Sequence, residues 1–347
     1  MKPTLSSENV KMNRMKVAVA ISGGVDSAYA LYKLKEEGHE VKAFHLILGG
    51  WSDVEGAKEV ARVLNVDLEL IDLKDEFEKL VIDYFVREYE SGRTPNPCYF
   101  CNRKIKFGIF LEIASKMGFD RVATGHYARV ENGLLYRALD KSKDQSYFLS
   151  SLSKDQLRKV ILPLGNEFKR DVKEKMEKLG VVRGSESQDV CFLQGKSVSE
   201  FLEKRLGRRR GYFIDENGNI LGEHEGYYKF TIGQRRGLGV SSNRRLYVKE
   251  IKPESGDVVL SGREGVLFDS MIVEDLNVIS HLPDMCQVKV RSNFKPVDCT
   301  VRVKGNRAFV RFAEKVFAVT PGQIAVFYEG DLVLASGVIA RYRIETS

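Results

Sequence analysis

The chain has 347 residues, 43% hydrophobic and 30% charged, with a formal net charge of +7. That length exceeds one ordinary core and predicts two or three domains. The composition is that of a soluble globular protein, and no apolar run reaches the ~18–20 residues of a membrane span, which excludes a membrane-spanning class.

In chain order, residues 1–15 are polar, lack the apolar segment of a secretory signal, and read as a loose extension. Strand and helix patterns then alternate. Strands are predicted over 17–21, 41–48, 67–73 and 121–125. Helices are predicted over 27–37, 52–65, 76–89 and 102–117, the first stopped by Gly38. The alternation predicts an α/β domain over 16–205, a doubly wound parallel sheet whose ligands bind outside the carboxyl ends of the strands. The stretch RLGRRR at 205–210 marks a change of character. A small β-rich central domain is predicted over 206–270, with strands at 211–214, 227–231, 247–251 and 258–260. A C-terminal β-barrel is predicted over 271–347, with strands at 287–291, 299–303, 308–312, 323–328 and 332–339.

The basic balance favours a polyanionic partner such as nucleic acid. Arg208, Arg209, Arg210, Arg235 and Arg236 are candidates to meet its phosphates, against a reading as plain surface charge. Five cysteines, an odd number without secretory context, point to the cytoplasm and to thiols or metal ligands.

The most informative segment is SGGVDS at 22–27, between the first strand and the first helix. Ser22, Gly23 and Gly24 let the backbone turn tightly, and Asp26 and Ser27 fall at the helix start. There, exposed N–H groups and the helix dipole attract an anion. No Gly-Lys-Ser/Thr follows, so this is not a Walker loop. The segment resembles the pyrophosphate loop of the ATP pyrophosphatases, which implies cleavage of ATP between its α and β phosphates, with Asp26 helping to hold Mg²⁺. Plain turn chemistry is the competing reading.

In TPNPCYFCNRKIKF at 94–107, two prolines stiffen the lead-in to Cys98 and Cys101, and a helix is expected to begin just after them, at Asn102. A helix start lowers a thiol's pKa. A zinc site would want four ligands, and no second CxxC or His-x₃-His is present. Cys191, in SESQDVCFL, reads alone as a small buried hydrophobe or as a functional thiol. Cys286 and Cys299 read as packing.

Together SGGVDS, TPNPC..CN..IKF, ATGHYAR, KDQSYFL, SQDVCF, TIGQRRGLG and VTPGQIAVFY occur in this order between residues 17 and 339, a sequence of motifs that resembles the bacterial tRNA-specific 2-thiouridylases. The resemblance implies ATP contacts at Ala20, Ile21, Ser22, Gly23, Gly24, Val25, Asp26, Ser27, Leu48 and Gly125. Leu48 stands where the family commonly has Met. It implies a persulfide on Cys191, with Cys101 its partner through a disulfide. It implies a target-base loop at Asn96, Pro97 and Cys98, and tRNA contacts at His126, Lys143, Asp144, Gln145, Arg291, Ser292 and Gln323. A sulfur-donor protein or sulfide is implied as partner. Cys98 departs from the Asp that many members carry. Cys98, Cys101 and Cys191 are enough thiolates to hold a [4Fe–4S] cluster with one iron free; in the competing scheme Cys98 is a bystander to the persulfide. Two other functions stand beside this one: a small-molecule adenylating synthetase, and a non-catalytic tRNA-binding protein with a relic nucleotide site.

Overall fold

The computed structural model describes residues 14–181 and 190–343, the last three as backbone only. The extension before residue 14 and the polar residues 185–189 ahead of Cys191 lie outside the described residues. Four strands, β1 (Lys16–Ala20), β2 (Glu40–Ile47), β3 (Leu68–Asp72) and β4 (Arg121–Ala123), run parallel in the order β3-β2-β1-β4. After a hairpin of β5 (Ala128–Glu131) and β6 (Leu134–Arg137), β7 (Val160–Ile161) completes this sheet beside β4.

The pleat explains why the sheet is covered twice. Val17, Val19 and Ile21 face a core with Leu31, Val60 and Val172, while Ala18 faces a second core with Phe44, Phe77 and Phe110. The strand order reverses between β1 and β4, and the loops after both strands meet there. A Cβ on Gly125 would lie 2.6 Å from the backbone carbon of Asp26, so glycine is required for the two loops to touch.

The central domain is a mixed sheet of β8 (Gly211–Ile214), β9 (Ile220–His224), β10 (Tyr247–Lys252) and β11 (Asp257–Ser261), in the order β10-β11-β8-β9. The third domain is an antiparallel barrel of β12 (Leu267–Val278), β13 (Met285–Lys289), β14 (Val297–Lys304), β15 (Arg307–Phe317), β16 (Ile324–Glu329) and β17 (Leu332–Arg343), closed by the β12–β17 pairing. Closure removes exposed sheet edges. Among the described residues no helix is long and apolar enough to cross a membrane.

This is the expected architecture, with local corrections: β7, β9 and β12 form where no strand is expected, and β12 begins at Leu267, inside the range expected for the central domain. The β5–β6 hairpin was not anticipated. It turns on Asn132 and Gly133, both at positive φ (53° and 75°), and joins the barrel sheet through Tyr136 opposite Leu332. Residues 227–231 are not a strand: Tyr227–Lys229 is a 3₁₀ turn, because the Tyr227 and Tyr228 hydroxyls donate to the Glu90 and Gly207 carbonyls and override the alternating pattern. The helix expected over 102–117 begins earlier, at Pro97. Asn96 caps it by accepting the Tyr99 N–H at 3.2 Å, and proline stands at the first helical position, where no N–H is needed.

Candidate active site

The loop after β1 is held by its own hydroxyls. Ser27 Oγ accepts the Ser22 N–H at 3.1 Å and donates to the Gly24 carbonyl at 2.9 Å. Gly23 sits at φ +85°, and a Cβ there would lie 2.9 Å from Asp53 Oδ2. Helix Val25–Glu36 has Gly24 as its N-cap with no side-chain hydrogen bond, so its first N–H groups are open to an anion. Asp26 Oδ1 accepts from Lys169 Nζ at 2.6 Å and from the Tyr127 hydroxyl at 3.0 Å. Leu48, just after β2, is half-buried and donates its N–H to Ser52 Oγ at 2.9 Å.

The cysteine helix Pro97–Cys101 passes without a break into a π-wound segment, Asn102–Ile109. The i→i+5 ladder brings residues five apart into register along the helix, and Lys106 is five residues beyond Cys101. Lys106 acts on three groups. Its Nζ lies 3.5 Å from His126 Nε2, and its charge is the largest influence opposing the burial of both Cys101 and Cys191. Cys101 is buried, and burial pushes its thiol up to about 12; Cys98 and Cys191 push in the same direction. Cys191 is solvent-exposed but crowded, and its pKa too is raised by desolvation. Lys106, the N–H groups of Phe192 and Cys191, and the Trp51 side chain oppose that rise. The expectation of a helix start lowering the Cys101 thiol is therefore overturned: the helix begins at Pro97, Cys101 closes its single turn, and desolvation dominates. Cys98, in the first turn, is half-buried.

His126 is held well below the usual imidazole range by burial and by Lys106. Neutral, it presents its Nε2 lone pair to the ammonium and its Nδ1–H to Thr124 Oγ1 at 2.7 Å. Sequence reasoning missed Lys106 and gave Trp51 no part beside the thiols. Lys106 lies inside the IKF motif, but its relevance depends on the π winding. Trp51 folds back over Gly49, where a Cβ would lie 2.2 Å from its ring. Phe192, the residue after Cys191, packs among Phe77, Phe85 and Phe201 and anchors the cysteine.

Several residues expected at the RNA serve the fold in this structure. Asp144 accepts from Ala138 N–H and from the N–H and hydroxyl of Ser146, and Gln145 Oε1 accepts from Tyr127 N–H. Lys143 is half-buried in the same turn, and Ser292 is exposed. Gln323 Nε2 donates to the Thr94 carbonyl at 2.9 Å and the Pro95 carbonyl at 3.4 Å, while Thr94 Oγ1 meets Thr231 Oγ1 at 2.6 Å. Arg291 donates to the Ile232 carbonyl at 2.8 Å and to Thr320 Oγ1. The loop ahead of Cys98 is thus clamped where all three domains meet. In the basic stretch, Arg208 pairs with Glu203 and Glu225, and Arg209 with Glu90. Arg235, Arg244 and Arg245 line a cavity of about 420 Å³.

The fit to metals differs between the two candidates. Asp26 is a hard oxygen donor, 32% exposed beside the open helix start, and suits Mg²⁺ shared with a triphosphate. Among the described residues no three His, Cys, Asp or Glu side chains come together to hold a metal, so Cys98, Cys101 and Cys191 as placed form no cluster cradle.

Comparison with known proteins decides the family. Residues 15–195 match the profile of the tRNA methyl transferase HUP domain, 199–262 that of the tRNA methyl transferase PRC-barrel domain, and 268–339 that of the aminomethyltransferase beta-barrel domain. A tRNA-specific 2-thiouridylase of Fervidobacterium nodosum is 45% identical, covering 93% of this chain and 99% of its own. The chain belongs to the tRNA-specific 2-thiouridylase family. Relatives of the same description from Caldicellulosiruptor saccharolyticus and Pseudothermotoga lettingae are 41% and 40% identical, each over 94% of this chain and 99% of theirs. Among solved structures, a 4-thiouridine synthetase–RNA complex with bound ATP matches 55% of this chain and 50% of its own, at 21% identity and a TM-score of 0.39, too distant to bear on the site. Membership makes the chain a tRNA-modifying sulfurtransferase with an ATP-binding HUP domain.

Proposed function

We propose that this 2-thiouridylase puts sulfur on C2 of the wobble uridine of tRNA, using a persulfide on Cys191. The observation that carries this is one contiguous run of groups at the carboxyl ends of β1, β2 and β4. It passes from the glycine loop through Gly125 and His126 to Lys106, then to Cys101 and Cys191, and back through Trp51 to the end of β2. An anion site and a set of thiols around one cation make a place where phosphate and sulfur chemistry meet.

ATP lies with its β,γ-phosphates on Ser22, Gly23, Gly24, Val25, Asp26 and Ser27, its adenosine part against Ala20, Ile21, Leu48 and Gly125, and Asp26 supplies an oxygen ligand for Mg²⁺. Uridine O2 attacks the α-phosphorus and pyrophosphate leaves, which turns a poor leaving group into AMP. The terminal sulfur of the Cys191 persulfide adds at C2 and AMP departs. The Cys101 thiolate then attacks the Cys191 sulfur, forming the Cys101–Cys191 disulfide and freeing the thiolated base. Two external thiols reduce that bond and leave joined as a disulfide, restoring both cysteines, and a sulfur donor reloads Cys191. Lys106 stabilises the anionic sulfur throughout.

The tRNA reading rests on family membership and the charge of +7. The base leaves its stack, at about a few kcal/mol, to reach Asn96, Pro97 and Cys98. His126, Lys143, Asp144, Gln145, Arg291, Ser292 and Gln323 lie along the RNA. The test is turnover with tRNA and a persulfide donor. Expected are 2-thiouridine, AMP and pyrophosphate in equal amounts, lost in Cys101→Ser and Cys191→Ser and largely kept in Cys98→Ser. ADP and phosphate as products would refute the nucleotide assignment. Loss of activity in Cys98→Ser, with iron co-purifying anaerobically, would replace the persulfide scheme by the cluster scheme.

A further inference from the structure

Cys286 on β13 and Cys299 on β14 stand opposite each other in register on antiparallel strands. Their Sγ atoms are 3.9 Å apart, and Cys299 Sγ also donates toward the Cys286 carbonyl at 3.4 Å. Opposed residues on such strands have Cα atoms roughly 4.5–5.5 Å apart, inside the roughly 4.4–6.8 Å span of disulfides. Joining the two sulfurs therefore asks for side-chain rotation and no rearrangement of the sheet. The thiols differ in access: Cys299 is buried and Cys286 half-buried. Neither belongs to the sulfur-transfer set, and packing alone does not require two thiols in register.

We propose that Cys286 and Cys299 are a site of reversible oxidation, forming an internal disulfide by exchange with a low-molecular-weight disulfide, and that this bond restrains the hairpin carrying Arg291 and Ser292. The Cys286 thiolate attacks one sulfur of the incoming disulfide, whose S–S bond breaks and releases one thiolate. Cys299 then loses its proton and attacks the Cys286 sulfur, releasing the second thiolate, which takes up that proton. The protein loses two hydrogens and the small disulfide becomes two thiols. The order follows from the contact itself. Cys286 is the half-buried, more accessible thiol and is drawn down by its contact with Cys299, whereas that contact and burial push Cys299 up. Glu329 and Asp298 are the charged neighbours, and both oppose thiolate formation.

The consequence for RNA rests on the tRNA reading above. The bond closes residues 287–298 into a ring that contains Arg291. In this structure Arg291 directs its guanidinium to Ile232 and Thr320, so reaching a phosphate breaks the bonds that hold the end of the hairpin, which is then free to move. A covalent tie at its base resists that movement.

The test incubates the full-length protein with glutathione disulfide and glutathione at graded ratios, traps free thiols with N-ethylmaleimide, and maps peptides by mass spectrometry. The expected result is a Cys286–Cys299 cross-link that reverses with excess thiol. Cys299→Ser should stop at a glutathione adduct on Cys286, and Cys286→Ser should leave Cys299 unmodified. Independent alkylation of both residues in the wild type at the most oxidising ratio would overturn the proposal, and it needs no variant to be seen. In the second arm, oxidised wild type should bind an anticodon stem-loop RNA at least about fivefold more weakly than Cys286→Ser oxidised alongside it, a control that keeps any oxidation at the other cysteines. Equal affinities would overturn the link to the hairpin. Absence of RNA binding by the reduced wild type would instead refute the tRNA reading and leave the cross-link result standing.

Discussion

Replacing Lys106 by methionine keeps most of the side chain's length and removes the one charge that opposes desolvation at both Cys101 and Cys191. An opposite charge beside a thiol raises its thiolate population by about one to three powers of ten. Cys191 is solvent-exposed, so water screens the pair and the low end applies, about tenfold. The sign is fixed: burial raises both thiols, Lys106 pulls them down, and its loss leaves less thiolate at neutral pH. The readout is the rate of iodoacetamide alkylation at Cys191, followed by peptide mass spectrometry against pH. Lys106→Met should alkylate about tenfold more slowly at pH 7, with its rise displaced to higher pH and its plateau unchanged. Lys106→Arg should stay near wild type, since it restores charge without the ammonium's shape. A purely packing role for Lys106 would change neither midpoint nor plateau. Superimposable pH profiles for Lys106→Met and wild type, or an arginine variant as slow as methionine, would refute the argument.

Further expectations follow from the same geometry. Gly23→Ala places a Cβ at a left-handed φ and 2.9 Å from Asp53; it should cost about 1–2 kcal/mol of stability and abolish ATP-dependent pyrophosphate release, and normal release would contradict the tight turn described for the loop. Gln323→Ala removes the bonds to Thr94 and Pro95; at about 1 kcal/mol for each lost bond, the melting temperature should fall by a few degrees, and an unchanged melting temperature would show that the clamp contributes nothing. Desolvation, with Lys106 beside it, holds the half-buried His126 well below the usual imidazole range. A histidine whose folded pKa is depressed gives stability that is present above its unfolded value of about 6.5 and is lost as pH falls below it. His45 and His224 are shifted the same way, so the measure is a difference: His126→Gln should lose less stability between pH 7 and pH 5 than wild type, in urea titrations at each pH.

The sheet was legible because its signals are local. Five apolar residues, two glycines and a helix pattern place the loop after β1 at the end of a parallel strand, and the same reasoning puts Leu48 and Gly125 at neighbouring strand ends. The barrel was legible from alternation at roughly ten-residue spacing. The β5–β6 hairpin had a local signal too, Asn132-Gly133 between short β-type runs, but its sheet is the barrel more than a hundred residues away. What sequence reading lost was what depends on winding and partners. A π segment in place of an α-helix looks the same in composition, yet it decides which residues lie beside Cys101. Tyr227 and Tyr228 alternate with no neighbour in a strand; their hydroxyl partners, Glu90 and Gly207, are set by the fold.

The residues matched to tRNA show how a motif is silent about the state of its side chains. Gln323 and Arg291 lie in long motifs, and in this structure both are spent on protein. Gln323 holds the Thr94–Pro95 carbonyls, and Arg291 holds Ile232 and Thr320. Thr94 in turn touches Thr231 of the central domain, so one junction joins the cysteine loop to both β-domains. Each of these side chains has donors that suit a phosphate or a base edge equally well. An RNA that takes them must release the loop ahead of Cys98 from its clamp. Binding in the barrel and positioning of the loop beside Cys101 would then be one event, because the same few hydrogen bonds belong to both.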